Sequence, residues 1–451
     1  MKKLVLSSIF SAVGLAAMAE FSFDFGADVR IRQEIYDNVP GLPNGGVLMD
    51  SVRGKYTNRM RFRPRVWSEV KAGEKFRLFT RIIDEFRWNV RPKNHATEWP
   101  DELLLDNLFI EGKGLFDGFV DLKAGRQDIT GYCGLDHIFQ DGTPGDGSRT
   151  AYADMVSVRL NLEEDRALDI FAMYTADKNI LRLGDDDSRR TMTGIGGGSL
   201  DDRDEWGWGA IWSAYLNPSI PYNVFAMQKN TSSFYRRGEK NPRTQVNLAG
   251  FKVVPRIADE WSLQFEAMGQ VGENGDSDTT YGWSTYAALN WEESTERSVR
   301  GFGSLAFHFM SGDKNAAEEY GGNGAWDPMW YRGACDSEIF LYGTHYGTAW
   351  WSNMYFAKLT AGLDFGHRHK LMAFTGPLFA AASDGMGGGD GSYKGLLSRV
   401  KYEFPLIEAD KDMGERFEVF GHLICEFFNP GSYYESSKPA WFVRWQIEMK
   451  F

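Results

Sequence analysis

Cysteine is scarce in this sequence, with 3 in 451 residues, at Cys133, Cys335 and Cys425. None stands at a C-x-x-C spacing, which excludes a disulfide framework and a cysteine zinc site. Free thiols are expected, Cys425 on an apolar strand face and the other two in external loops, where a Cys133–Cys335 pair stays open. Long apolar runs are missing too. Beyond residue 19 no stretch of about 20 residues is apolar throughout, so no transmembrane helix is expected. Histidine is rare, at 7 residues, and H-E-x-x-H and G-x-S-x-G are both absent, removing the metalloprotease and elbow-hydrolase signatures. His367-x-His369 lacks a third ligand, and "GIGGGS" (194–199) lacks the lysine that follows a phosphate-cradling loop. No internal repeat, helical periodicity or domain break interrupts the chain.

What is abundant points elsewhere. Fifty glycines and 15% aromatic residues suit many short strands and turns. The opening "MKKLVLSSIFSAVGLAAMAE" has two lysines, a short apolar run and Ala17-Met18-Ala19, the layout of a secretory signal peptide cleaved after Ala19. The expected organisation is residues 1–19 as signal peptide and 20–451 as one domain. Removing Lys2 and Lys3 takes the formal charge from −12 to −14.

The last strand sets the class. From Trp441 to Phe451 one face carries Trp441, Val443, Trp445, Ile447, Met449 and Phe451, while the other carries Phe442, Arg444, Gln446, Glu448 and Lys450. About 9–11 tilted residues span a bilayer as a strand, and a terminal Phe451 resembles the assembly signal of outer-membrane barrels. The first mature strand matches it, with Phe21, Phe23, Phe25, Ala27, Val29 and Ile31 on one face. A closed barrel pairs first strand with last and so removes both edges. Short turns at 72–75, 163–167, 217–221, 255–260 and 366–369 alternate with long polar connections. The expected fold is therefore an all-β transmembrane antiparallel barrel of about 18 strands, with 16 as the alternative. Its loops are long outside the cell and its turns short in the periplasm. Segments 222–229, 245–254 and 370–380 alternate poorly.

The segment "NRMRFRPRVW" (58–67) places Arg59, Arg61, Arg63 and Arg65 on one face of a strand and Met60, Phe62 and Val66 on the other. Facing lipid, four arginines would cost roughly 8–16 kcal/mol at about 2–4 each, so they face the lumen. Pro64 lacks a ladder donor and predicts a bulge or interruption. The same parity turns Arg30, Arg32, Arg77, Arg81, Arg159, Arg399 and Arg444 inward, with the acids Asp24, Asp28, Glu69, Asp121, Glu418, Glu426 and Glu448. Arginines outnumber acids on strands one to three. Such a sector favours anions in a pore, or forms a structural lattice of ion pairs.

The signal peptide, the count near 18, the R-x-R-x-R of Arg59, Arg61 and Arg63, and "AGRQ" (124–127) resemble the alginate-export family of outer-membrane porins. The resemblance implies a monomeric barrel passing an anionic polysaccharide or small anionic solutes, with Arg59, Arg61, Arg63 and Arg126 in its lining. Strand parity instead sets Arg126 with the outward Val120, Leu122 and Ala124, unless Gly125 hosts a bulge or Arg126 lies above the membrane. The expected function is an anion-preferring porin, with a surface adhesin or a barrel enzyme as alternatives; no enzyme is the main expectation. Expected partners are the outer membrane with its lipopolysaccharide, the barrel-assembly machinery and the anionic solute, and no nucleic acid. No cofactor is expected, although acidic loops such as "ENGDSDTTYG" (273–282) could hold calcium. "GAWDPMWYRG" (324–333) either binds a partner or folds inward and narrows the pore.

Overall fold

Alternation at period two requires extended chain, and residues whose two faces differ this sharply need two solvents, one on each side. In the computed structural model that requirement closes a ring. The structure describes residues 20–38, 56–91, 103–140, 152–175, 204–236, 239–275, 278–294, 298–314, 324–331, 337–339, 352–383, 387–409, 416–435 and 437–451. The expected signal peptide, Cys335 and "GIGGGS" lie outside them.

Strands β1 (Phe21–Asp37), β2 (Thr57–Ala72), β3 (Phe76–Ile83, continuing as Phe86–Arg91), β4 (Leu104–Leu115), β5 (Val120–Asp128), β6 (Tyr152–Glu163), β7 (Arg166–Thr175), β8 (Glu205–Tyr215) and β9 (Pro221–Thr231) form half the ring. The other half is β10 (Thr244–Val253, continuing as Arg256–Ala258), β11 (Trp261–Asn274), β12 (Asp278–Glu292), β13 (Arg300–Met310), β14 (Met354–Asp364), β15 (Lys370–Phe379), β16 (Tyr393–Ile407), β17 (Glu418–Pro430) and β18 (Ala440–Lys450). Each strand runs antiparallel to the next, and β18 pairs with β1, giving a closed barrel of 18 strands. Beyond the last paired residues, the Phe451 N–H donates to the Ala27 carbonyl at 2.9 Å, and the Phe451 ring lies 5.2 Å from Phe417. The C-terminal residue thus sits in the closing seam.

The outer surface is apolar. Phe23, Phe25, Val66, Ile110, Val156, Trp208, Trp283, Leu359 and Phe427 are exposed on it. Cys425 shares this face with Leu423 and Phe427.

Pro64 shows how a local defect is absorbed. The β1–β2 ladder runs through it in register, Val29 against Pro64. The interruption falls in the neighbouring strand instead, at Asp84–Glu85, between the two segments of β3. There the Asp84 N–H donates to the Pro64 carbonyl at 3.1 Å. The missing proline donor faces β3, so the partner strand gives way rather than β2.

The bore is not empty. Residues 129–140, between β5 and β6, fold inward, as do 324–331 and 337–339, between β13 and β14. Leu135, Ile138, Phe139, Trp326, Met329, Trp330 and Ile339 are all buried. They join a core with inward side chains of the wall, among them Ile211, Phe225, Met227, Leu248, Met268, Phe356, Phe374 and Leu378. Of the two expectations for 324–333, inward folding is the one observed over 324–331.

Candidate lumen wall and inward segments

The first feature of the site is a ladder of charges across β18, β1 and β2. Register sets Arg444, Glu34 and Arg59 in one row, then Gln446, Arg32 and Arg61, then Glu448, Arg30 and Arg63, and last Lys450, Asp28 and Arg65. Two rows place arginine directly beside arginine, which is destabilising for like charges. Carboxylates one row away offset it. Glu34 accepts from Arg59 at 2.8 Å, Arg61 at 3.4 Å and Arg444 at 2.8 Å, and lies 2.9 Å from Arg32 as an ion pair. Asp28 holds Arg65 at 2.8 Å and Arg63 at 3.4 Å, and Glu448 lies 3.6 Å from Arg63. The break in β3 brings in Glu85, which accepts from the Arg61 Nε at 2.9 Å and lies 3.9 Å from Arg30.

Burial makes this a tight lattice. Glu34 has no exposed surface and Arg32 only 1%. Removing one partner from such a group strands charge in a low-dielectric setting, whereas intact pairs roughly offset their own desolvation.

The other expected arginines are also matched. Arg77 meets Glu69 and Glu111, Arg81 meets Asp106 at 2.7 Å and Asp128 at 3.1 Å, Arg159 meets Asp169 at 3.0 Å, and Arg399 meets Glu426 at 3.5 Å. Nearer the mouth that carries the termini, Asp24 pairs with Arg416, and Glu418 with Arg368 and Lys450. Asp121 accepts from the Gly114 N–H at 2.7 Å.

Arg126 departs from the set. Its register partners are Leu108, which is exposed, and Asp154. No register shift interrupts β5 at Gly125 on its β6 side. Ladder parity therefore separates Arg126 from the arginine stripe, as the alternation of β5 predicts. Its guanidinium is nonetheless buried, bonded to Asp154 at 2.8 Å and the Leu105 carbonyl at 3.2 Å, above the Tyr152 ring at 4.2 Å. Gly125 has φ +126°, and a Cβ there would stand 2.2 Å from the Leu108 carbonyl oxygen. Only glycine fits this approach.

The second feature is the pair of inward segments. Phe139–Gln140 and Trp330–Tyr331 form a short parallel bridge. The Phe139 and Trp330 rings stack at 5.4 Å with 5° between planes, and Phe171 meets both edge-on. Gly207 on β8 makes room for Trp330, whose ring would lie 2.3 Å from any Cβ there.

Polar bonds fix both segments to β9–β11. His137 Nδ1 contacts Glu266 at 2.8 Å, and Lys252 donates to the Gly134 carbonyl at 2.6 Å. Lys229 pairs with Asp327 and donates to the Met329 carbonyl at 3.1 Å, while Gln270 donates to the Asp327 carbonyl at 2.6 Å.

Residues 337–339 are held by a different wall. The Ser337 hydroxyl and the N–H groups of Glu338 and Ile339 donate to Glu426 on β17 at 2.9–3.0 Å. Arg444 on β18 donates to both oxygens of Glu338, at 2.6 and 2.7 Å. β9 and β18 stand nine strands apart in the ring of 18. The β13–β14 connection is therefore anchored on opposite sides of the bore.

Cys133 lies in the first inward segment, in a 3-10 turn spanning Tyr132–Gly134. Burial, and then nearby Asp169, push its thiol well up; burial raises the Tyr132 hydroxyl likewise. His367 and His369 turn to different partners, Glu408 and Tyr402. Among the described residues no group of three or more His, Cys, Asp or Glu gathers to hold a metal, and residues 276–277 of the acidic segment 273–282 lie outside the described residues.

Glu34 continues the inward series of Arg30 and Arg32, so strand parity alone places it in the lumen. Glu85 follows from the Pro64 break only when the neighbouring strand is known. Glu338 sits in a long connection with no periodic signal.

No protein-family model matches the chain, and no curated relative matches it. Solved structures do. OccK11 (OpdR) of Pseudomonas aeruginosa is 11% identical, with TM-score 0.53 over 95% of this chain and 96% of the other. OprD of the same organism is 10% identical, with TM-score 0.51 over 97% of each. OccAB1 of Acinetobacter baumannii is 9% identical, with TM-score 0.53 over 95% and 97%. These are substrate-specific outer-membrane porins of the OccD/OprD family, and at this identity they show a common fold. They overturn the resemblance to alginate-export porins. The R-x-R-x-R spacing reports a strand with a charged inner face, which a lumen of this kind produces without kinship to that family.

Proposed function

We propose that the chain is an outer-membrane channel for small solutes, anions in preference to cations. The barrel fold shared with OccD/OprD porins supports the channel. The observation that carries the preference is the charge balance of the sector across β18, β1 and β2. Seven arginines (Arg30, Arg32, Arg59, Arg61, Arg63, Arg65, Arg444) stand against five carboxylates (Asp28, Glu34, Glu85, Glu338, Glu448). Arginine stays charged at any working pH. A positive surplus between low-dielectric walls concentrates counter-ions even when each charge has a partner. The inward segments favour small solutes over a polymer, because they fill part of the bore. Outer-membrane location and cleavage after Ala19 belong to the same reading.

The test is reversal potential in a planar bilayer under a salt gradient. Wild type should favour the anion, and changing Arg59, Arg61, Arg63 and Arg65 together to Gln should abolish that bias. Preference should also weaken in concentrated salt through screening. A cation-selective wild type would end the anion reading; a barrel that carries no current in any salt would end the channel reading.

A further inference from the structure

The first inward segment is tied to the wall by two polar contacts that differ in one respect, whether a change of pH near neutrality can alter their charge. Lys252 on β10 donates to the Gly134 carbonyl at 2.6 Å, and ammonium groups ordinarily keep their proton throughout that range. Three residues on, His137 Nδ1 lies 2.8 Å from Glu266 on β11. Imidazole is the side chain whose ordinary titration spans neutrality. Its cation bonds a carboxylate more strongly than its neutral form does.

The wall around His137 supplies a group from each of four strands. Glu266 is buried, accepts from Gln264 at 2.7 Å and lies 3.3 Å from Lys252. Tyr286 on β12 packs on the imidazole with ring centres 4.3 Å apart, and His308 on β13 meets it edge-on at 4.6 Å. His308 is buried, with Nε2 at 3.4 Å from the Ser284 hydroxyl. Lys358 on β14, two residues along from the register partner of His308, turns to the Phe374 ring at 5.6 Å. Asp136, beside His137 in the chain, is exposed. Two imidazolium rings as close as His137 and His308 repel, so the pair resists a second proton. The His137 side chain keeps 13% of its surface exposed, an edge open to proton exchange.

We propose that His137 and Glu266 form a pH-dependent latch on the first inward segment, fastened while His137 carries a proton and loosened as pH rises through the imidazole range. A histidine beside a carboxylate is stabilised in its charged form, so the contribution is complete on the acid side and lost on the alkaline side. The Lys252 contact stays in place, which makes the change a loosening rather than a detachment. It passes to the second segment, because Phe139–Gln140 and Trp330–Tyr331 share a bridge and the Phe139 and Trp330 rings stack at 5.4 Å. On the channel reading above, loosened segments leave more of the bore to solutes.

The experiment measures hydrogen exchange on the full chain, over amides 129–140 other than 137 and 138, at an acidic and an alkaline pH on either side of the imidazole range. It compares wild type with His137→Gln, which keeps a donor but cannot titrate, and intrinsic exchange rates cancel in the ratio of the two proteins at one pH. Protection in wild type should exceed that in the variant about fivefold at the acidic pH, the worth of charging one hydrogen bond, and should match it at the alkaline pH. Glu266→Gln should behave as His137→Gln does, and His308→Gln should keep the wild-type dependence. In planar bilayers, single-channel current should rise with pH in wild type and lose that component in His137→Gln. Heat-modifiable gel migration identifies variants that have folded.

A protection ratio equal at both pH values overturns the proposal. So does a dependence that disappears in His308→Gln, which would make His308 the titrating group. Absence of current in every salt ends the channel reading, while the exchange ratio still decides the latch.

Discussion

Two sides of one barrel solve the problem of a filled bore in opposite ways. Across β18, β1 and β2 the inner wall is a lattice of arginines and carboxylates, where each charge depends on several others. From β8 to β15 the inner wall carries apolar side chains, Ile211, Phe225, Leu248, Phe356, Phe374 and Leu378, packed beneath inward segments led by Phe139 and Trp330. Lys229, Lys252, Glu266 and Gln270 are set among them and bond those segments. The charged side belongs to the strands themselves and is set by register. The apolar side needs other segments to cover it. Truncation on the first should therefore weaken the barrel, and truncation on the second should loosen what lies inside it.

The largest effect should come from Glu34→Gln, which takes the shared carboxylate from Arg32, Arg59, Arg61 and Arg444. Breaking a buried pair by removing one partner costs about 3–5 kcal/mol, and global unfolding in urea, followed by gel migration, should register a loss of that order. A loss below about 1 kcal/mol would mean that this side behaves as a surface.

Trp330→Ala tests the other side. Truncating a buried tryptophan costs about 3–5 kcal/mol, but here the loss should stay local, as raised protease sensitivity and faster hydrogen exchange of the inward segments. If the urea midpoint of the whole barrel falls as far as in Glu34→Gln, the two sides are not separable.

Gly125→Ala acts on β5, the strand that leads into the first inward segment. Forcing a side chain into that backbone region costs about 1–3 kcal/mol before the contact with Leu108 is counted. Slower assembly into the heat-modifiable form is the expected readout, and wild-type assembly would show that β5 can shift.

The smallest effect concerns Cys133 reactivity. The thiolate is the nucleophile, and a raised thiol pKa lowers its fraction at any given alkaline pH. Maleimide labelling at pH 8 should be slow in the folded protein and rise on unfolding. Rapid labelling of the folded form would mean that the first inward segment opens to solvent.

The same division explains what was legible in the sequence. Strands β1, β2 and β18 alternate cleanly because their inner faces are charged and their outer faces apolar. Segments 222–229, 245–254 and 370–380 alternate poorly because their inner faces are apolar as well, carrying Phe225 and Met227, Val246 and Leu248, and Phe374 and Leu378. They are nonetheless strands β9, β10 and β15. β4 is hard to read from the sequence for a related reason. Its Leu108 and Ile110 face outward while Phe109 turns in against Phe79 at 5.3 Å, and its register shifts between Arg81 and Ile82 of β3. Periodicity reports a contrast between two environments, and falls silent where both are oily. The arginine stripe was legible from spacing alone. Its compensation was not, because Glu85 and Glu338 arrive from a strand break and a distant connection.

The break opposite Pro64 carries a consequence for phase. Arg65 faces Ile83 before it and Phe62 faces Phe86 after it, so the two position numbers sum to 148 on both sides of the gap. The alternation passes through the defect without a slip. Arg81 and Arg87 keep the same side of the sheet although Asp84 and Glu85 between them are outside the ladder. A bulge of one residue would have inverted every later side chain of that strand. A gap that interrupts bonding without changing the count therefore lets the chain insert a carboxylate at one level and still resume the pattern in step, like a wave crossing a node.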